Sequence, residues 1–166
     1  GGVVQEEPDG SLEQTAFRKL AEKTGVASPY LEQVMTFGGP ERDPRGYSVS
    51  VLYMALLRST ELVLQGDDRV SDIAWVRVDG ERVDRPLAFD HAKLLEAACQ
   101  RLRSKAQYSS LIAHLLPDEF TLSELREAYS SILGVSLNAA GFRRRVLQAG
   151  LVEEVKGAFR HHGRRP

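Results

Sequence analysis

The stretch SLEQTAFRKLAEKTGV, residues 11–26, decides how the chain is read. Ser11 followed three residues later by Gln14 is a capping box, in which each side chain satisfies a backbone donor at the start of a helix, and Gly25 is a fitting terminator. The spacing predicts a helix over 12–24. Leu12, Ala16 and Leu20 recur at spacing four with Phe17 alongside, an apolar stripe that leaves Arg18, Lys19, Glu22 and Lys23 on the other faces.

Downstream, LEQVMTF and YSVSVLYMALL read as strands, the second with Tyr47, Val49, Val51 and Tyr53 alternating against Ser48 and Ser50. GGPERDPRG between them is a loop by composition. DIAWVRV predicts a further strand with Trp75 in the core, so this half is mixed α/β. After Pro86 the pattern turns helical, with Phe89, Leu94, Leu95, Ala98 and Leu102 at helical spacings and YSSLIAHLL continuing the character.

Thr121 and Glu124 form a second capping box. Leu122, Leu125, Tyr129 and Ile132 make the buried side of that helix until Gly134 stops it. VSLN leads into AAGFRRRVLQAG, with Asn138 as cap and Gly150 as terminator. LVEEV and GAFRHHGRR read as the two arms of a wing. Helix, short turn with glycine, helix and hairpin is the order of a winged helix-turn-helix. The expected division is an α/β domain over 1–104 and an α+β winged helix over 105–166.

A chain of 166 residues with 42% hydrophobic content can bury a real core, as one large domain or two small ones. The net charge of −1 hides a basic end: Arg143, Arg144, Arg145, Lys156, Arg160, Arg164 and Arg165 stand against Glu153 and Glu154. The single cysteine, Cys99, cannot make an internal disulfide, which fits a reducing compartment, and no apolar run approaches the about 20 residues of a membrane helix. The first residues lack the charged start and apolar core of a secretory signal. A cytoplasmic protein is expected.

The run Arg18-Lys19-Leu20-Ala21-Glu22-Lys23-Thr24-Gly25-Val26 resembles the end of the Nudix box, Arg-Glu-apolar-x-Glu-Glu-x-Gly-apolar. In that family the three glutamates lie on one helical face and hold magnesium, a hard cation that demands oxygen ligands. Here only Glu22 remains. Lys19 and Lys23 give the face two positive charges against one negative, and Gly10 stands where an earlier glutamate of the box would lie. No metal site, no catalytic residue and no cofactor are expected, since a protonated lysine has no acceptor.

A wider resemblance covers nearly the whole chain. YLEQVMTFGGPERDPRGYSVSVLYMALL, PLAFDH, FTLSEL and FRRRVLQAGLVEE, in this order, look like the Nudix-related transcriptional regulators often called NrtR. The resemblance implies a Nudix-like sensing and dimerising domain joined to a winged helix. It implies a bacterial repressor of NAD-metabolism genes, homodimeric on a palindromic operator in double-stranded DNA, with ADP-ribose or a related nucleotide as effector, and nucleoid-associated when bound. The family has further strands before the Gly-Gly pair and after the Gly-Arg-Pro-like end, so native segments are expected beyond both ends. The alternative is a Nudix hydrolase of ADP-ribose-type compounds.

For the effector the candidates are Arg18, Lys19, Glu22 and Lys23 on the first helix, with Phe37, Arg42, Asp43 and Arg45 near the loop. The two lysines either neutralise a diphosphate or are simply solvated, and Arg18 and Glu22 have the i,i+4 spacing of a pair. Phe37 either stacks on a base or packs in the core. For DNA, Phe142, Val146 and Ala149 define the buried stripe of the last helix, which places Arg144 and Gln148 opposite as base readers. Gly141 and Arg145 lie to one flank and Arg143 to the other. Arg143, Arg145 and the wing residues Arg160, His161, Arg164 and Arg165 suit phosphates or the minor groove. Thr121, Ser123 and Asn138, at helix starts, complete the set.

Overall fold

The computed structural model describes residues 4, 9–25, 30–43, 45–58, 76–79 and 82–157. The chain divides into two compact units, Gly1–Ser104 and Lys105–Pro166.

In the first unit, helix α1 (Leu12–Thr24) starts at Ser11, whose side chain accepts from the Gln14 N–H at 3.1 Å. The reciprocal bond differs from the expected box: Gln14 Oε1 accepts from the Gly10 N–H at 2.7 Å, one residue before the cap. Glycine makes this possible, because a Cβ at position 10 would lie 2.7 Å from that same oxygen. Gly25, at φ 71°, returns its N–H to the Ala21 carbonyl and ends the helix. The inner face also departs from the apolar stripe. Leu12 is exposed, whereas Thr15 is buried and satisfies its hydroxyl on the Ser11 carbonyl at 3.1 Å.

Strands β1 (Tyr30–Asp43) and β2 (Gly46–Leu56) form an antiparallel hairpin that pairs from Tyr30↔Leu56 to Gln33↔Tyr53, shifts register by one residue, continues from Met35↔Leu52 to Gly39↔Ser48 and closes at Asp43↔Gly46. Most of the expected loop is therefore strand. Gly39 and Pro40 break the ladder without ending it, because the register shift between Gly39 and Asp43 absorbs the residues that cannot pair. Tyr47 and Val49 are exposed, while Met54 and Leu56, of the opposite parity, are buried. The buried face also carries Glu32, the partner of Met54, which accepts from Tyr30 Oη at 2.6 Å and from Arg101 at 2.7 and 2.9 Å.

Of the expected strand DIAWVRV, only Val78 lies in a strand, β3 (Val78–Asp79), paired with β4 (Arg82–Val83); Val76 and Arg77 have none, and residues 72–75, Trp75 included, lie outside the described residues. Helix α2 (His91–Ala106) follows, with Leu94, Leu95, Ala98 and Leu102 half-buried. Phe89 is not among them. It sits ahead of the helix at φ 53° with 79% of its surface exposed, its ring edge-on to His91.

The second unit is built around Ala106, Leu111, Ile112, Leu125, Tyr129, Phe142 and Val146, all buried. YSSLIAHLL yields a 3-10 turn, Leu111–Leu115, rather than a continued α-helix. Helix α3 (Leu122–Leu133) carries the full reciprocal box between Thr121 and Glu124 and ends on Gly134 at φ 68°. Helix α4 (Ala139–Gln148) starts on Asn138, which accepts from the Gly141 N–H at 3.0 Å. The rings of Tyr129 and Phe142 meet at 5.5 Å and join α3 to α4. Ala149 caps the end of α4 and is exposed, so the buried stripe stops at Val146. Leu151–Val155, the expected first arm of the wing, has no strand; most of the second arm, 158–166, lies outside the described residues.

Candidate functional site

Helix α1 concentrates the first group of charges. The capped start sets the rotation of the helix, so Arg18, Lys19 and Glu22, spaced at i, i+1 and i+4, come within reach of one another. Arg18 donates from Nε to Asp9 Oδ1 at 2.7 Å and from Nη2 to Asp9 Oδ2, a two-point clasp on a carboxylate whose side chain is 1% exposed. Its remaining nitrogen, Nη1, donates to Glu22 Oε1 at 2.8 Å. Lys19 Nζ donates to the other oxygen, Oε2, at 2.7 Å. Hydrogen bonds from Lys19 and then Arg18 hold the Glu22 carboxyl below its usual range, and the bond to Asp9 raises the Arg18 guanidinium further still. Lys23 is half-buried in the last turn.

This arrangement does not fit a magnesium ion. The one carboxylate left from this ending of the box has a cation on each oxygen, and the positions of the other two are Lys19 and Lys23. Among the described residues no three His, Cys, Asp or Glu side chains gather where they could hold a metal. Asp9 was not among the sequence candidates. Its signal was its place beside Gly10, where the box would have a glutamate, but the pairing spans nine residues and depends on how the chain enters the helix.

On the hairpin, Arg42 donates from Nε and Nη2 to Asp90, ahead of α2, at 2.5 and 3.3 Å. Nη1 donates to the Phe37 carbonyl at 3.3 Å, and the guanidinium lies 5.8 Å above the Phe37 ring. The structure thus brings Phe37 and Arg42 together and adds Asp90. Asp43 and Arg45 close on each other instead, with the Arg45 backbone N–H, Nε and Nη2 all donating to the Asp43 carboxylate at 2.6 to 2.9 Å. Those bonds hold the Asp43 carboxyl well below the usual carboxylate range. Every candidate arginine of this unit therefore meets an internal carboxylate.

In the second unit, Phe142 and Val146 turn inward and Arg143, Arg144, Arg145, Leu147 and Gln148 are exposed. Arg145 folds back 5.8 Å over the Phe142 ring and, with Leu137, Asn138 and Gly141, lines a shallow hollow of about 200 Å³. Thr121 and Asn138 spend their side-chain oxygens on helix caps, and Ser123 is exposed. Arg160, His161, Arg164 and Arg165 lie outside the described residues. No helix among the described residues is long and apolar enough to cross a membrane.

Residues 1–98 match the NUDIX domain, and residues 112–166 match the NrtR DNA-binding winged helix domain. An ADPR responsive transcriptional repressor, NtrR, of Acinetobacter baylyi is 46% identical over 154 residues, which are 93% of this chain and 61% of that protein. The chain thus spans 61% of the length of this curated relative. The crystal structure of Shewanella oneidensis NrtR complexed with a 27mer DNA is 43% identical with a TM-score of 0.85, over 98% of this chain and 74% of that one. A MutT/nudix family protein from Enterococcus faecalis is 26% identical with a TM-score of 0.75, over 89% of this chain and 66% of the other.

Proposed function

Because this chain belongs to the Nudix-related transcriptional regulators of the NrtR family, a Nudix-like domain followed by a winged helix domain, we propose that it is a repressor whose Nudix-like unit senses an anionic nucleotide. The effector is ADP-ribose or a close relative, the compound to which the Acinetobacter protein is named as responsive. Residues 1–104 bind effector and dimerise; residues 105–166 bind double-stranded DNA. The target is a palindromic operator ahead of NAD-metabolism genes in a bacterial cytoplasm, since a two-fold dimer matches two half-sites.

One observation carries the reading: the box helix presents Arg18 and Lys19 around Glu22, which suits binding a diphosphate and denies hydrolysis its metal. Arg144 and Gln148, opposite the buried stripe of α4, are the base readers; Arg143 and Arg145 take phosphates. A gel shift on the promoter of the protein's own operon, with and without ADP-ribose, tests this. A retarded complex whose stability changes with ADP-ribose is expected. Absence of any operator-specific complex overturns it.

A further inference from the structure

Glu22 is the one carboxylate of the box that this chain retains, and its two oxygens bridge two cations, Arg18 Nη1 at 2.8 Å and Lys19 Nζ at 2.7 Å. A phosphoryl group presents the same feature, two negatively charged oxygens on one centre. The three partners differ in how firmly they are held. Arg18 keeps its other two nitrogens on Asp9, whose side chain is 1% exposed, so it stays in place when its third bond is broken. Glu22 is 47% exposed and can swing into water. Ion pairs at such exposure contribute little in water, so the bridge yields readily to a ligand of higher charge.

We propose that the Glu22 carboxylate occupies the position of one phosphoryl group of the effector, and that effector binding displaces it from Arg18 and Lys19. Glu22 then serves as an internal competitor that weakens affinity and, with Asp9, balances the two cations while the site is empty of nucleotide. Asp9 is the positioning residue that keeps Arg18 aimed during the exchange. This rests on the effector reading above, and the two are separable by experiment.

Calorimetric titration of the intact chain, Glu22→Gln and the double variant Glu22→Gln/Lys19→Met with ADP-ribose, and with adenosine, provides the test. Glu22→Gln removes the competing charge and is expected to bind ADP-ribose about threefold or more tighter, with its response to adenosine unchanged. Adding Lys19→Met is expected to reduce the gain, because only Arg18 of the two released cations then remains. ADP-ribose binding by the unaltered chain together with equal or weaker binding by Glu22→Gln overturns the displacement and leaves the effector reading standing. A gain undiminished by Lys19→Met also overturns it, since the effect would then be one of overall charge. If neither the unaltered chain nor Glu22→Gln binds ADP-ribose, the effector reading falls and this proposal with it.

Discussion

Arg42 and Asp90, 48 residues apart in the chain, meet through two hydrogen bonds at 2.5 and 3.3 Å and tie the bulged end of β1 to the turn that starts α2. The Asp90 carbonyl in turn accepts from the Lys93 and Leu94 N–H groups, so the residue that grips the hairpin also opens the helix. Glu32 and Arg101 repeat the link farther along the same two elements.

This pair predicts an acid-sensitive contribution to stability. The Arg42 hydrogen bond holds the Asp90 carboxyl below its ordinary value, so its contribution is full above the unfolded-state pKa and fades as pH falls through the lower native one. Asp90→Asn is expected to lower the melting temperature at neutral pH, with the deficit closing as the medium becomes acid. Melting curves of the two proteins from neutral to acid pH check this; a constant offset throughout would count against it.

The core of the second unit predicts a large cost for removing its aromatic contact. Phe142 is 4% exposed and packs on Tyr129, so Phe142→Ala is expected to destabilise the unit by about 3–5 kcal/mol. Denaturant unfolding followed by Tyr fluorescence measures it.

Caps are a smaller and more local matter. Asn138 satisfies the Gly141 N–H at the start of α4, and Asn138→Ala is expected to cost about 1 kcal/mol. Because the whole helix start loosens, affinity should fall for specific and random DNA alike. A drop confined to the operator in a gel-shift series would instead make Asn138 a base reader.

Arg144 carries the opposite expectation. Arg144→Ala is expected to lose about 1–3 kcal/mol on the preferred operator and little on random sequence. Arg164→Ala should weaken all sequences and flatten the salt dependence. Equal losses for Arg144→Ala on both DNAs would reassign it to phosphate contact.

Hydrolysis is expected to be absent. With lysines at positions 19 and 23, where the box has glutamates, incubation with ADP-ribose and magnesium should release no phosphate-bearing product at a useful rate. Ready turnover by the unaltered protein would overturn this. Lys19→Glu/Lys23→Glu, which restores two carboxylates of the box, is the variant in which activity is to be sought.

Features set by a few neighbouring residues were readable directly. Ser11, Thr121 with Glu124, and Asn138 cap helices because their bonds span three residues, and Gly25 and Gly134 end them because a left-handed residue costs glycine nothing. The mixed composition of Arg18, Lys19 and Glu22 was equally plain. What the sequence left undecided is whatever depends on distant chain. Alternation in β2 shows a strand, but both parities carry large apolar residues, so only packing could select Met54 and Leu56 over Tyr47 and Val49 for the inside. GGPERDPRG has the glycine and proline of a loop, yet a bulge absorbs them and the ladder closes again at Asp43. The partners of Arg18, Arg42 and Arg101 lie 9, 48 and 69 residues away. Each of those charges had several possible carboxylates in sequence; helix spacing offered Glu22 to Arg18, but the tertiary fold alone brought these distant partners within hydrogen-bonding distance.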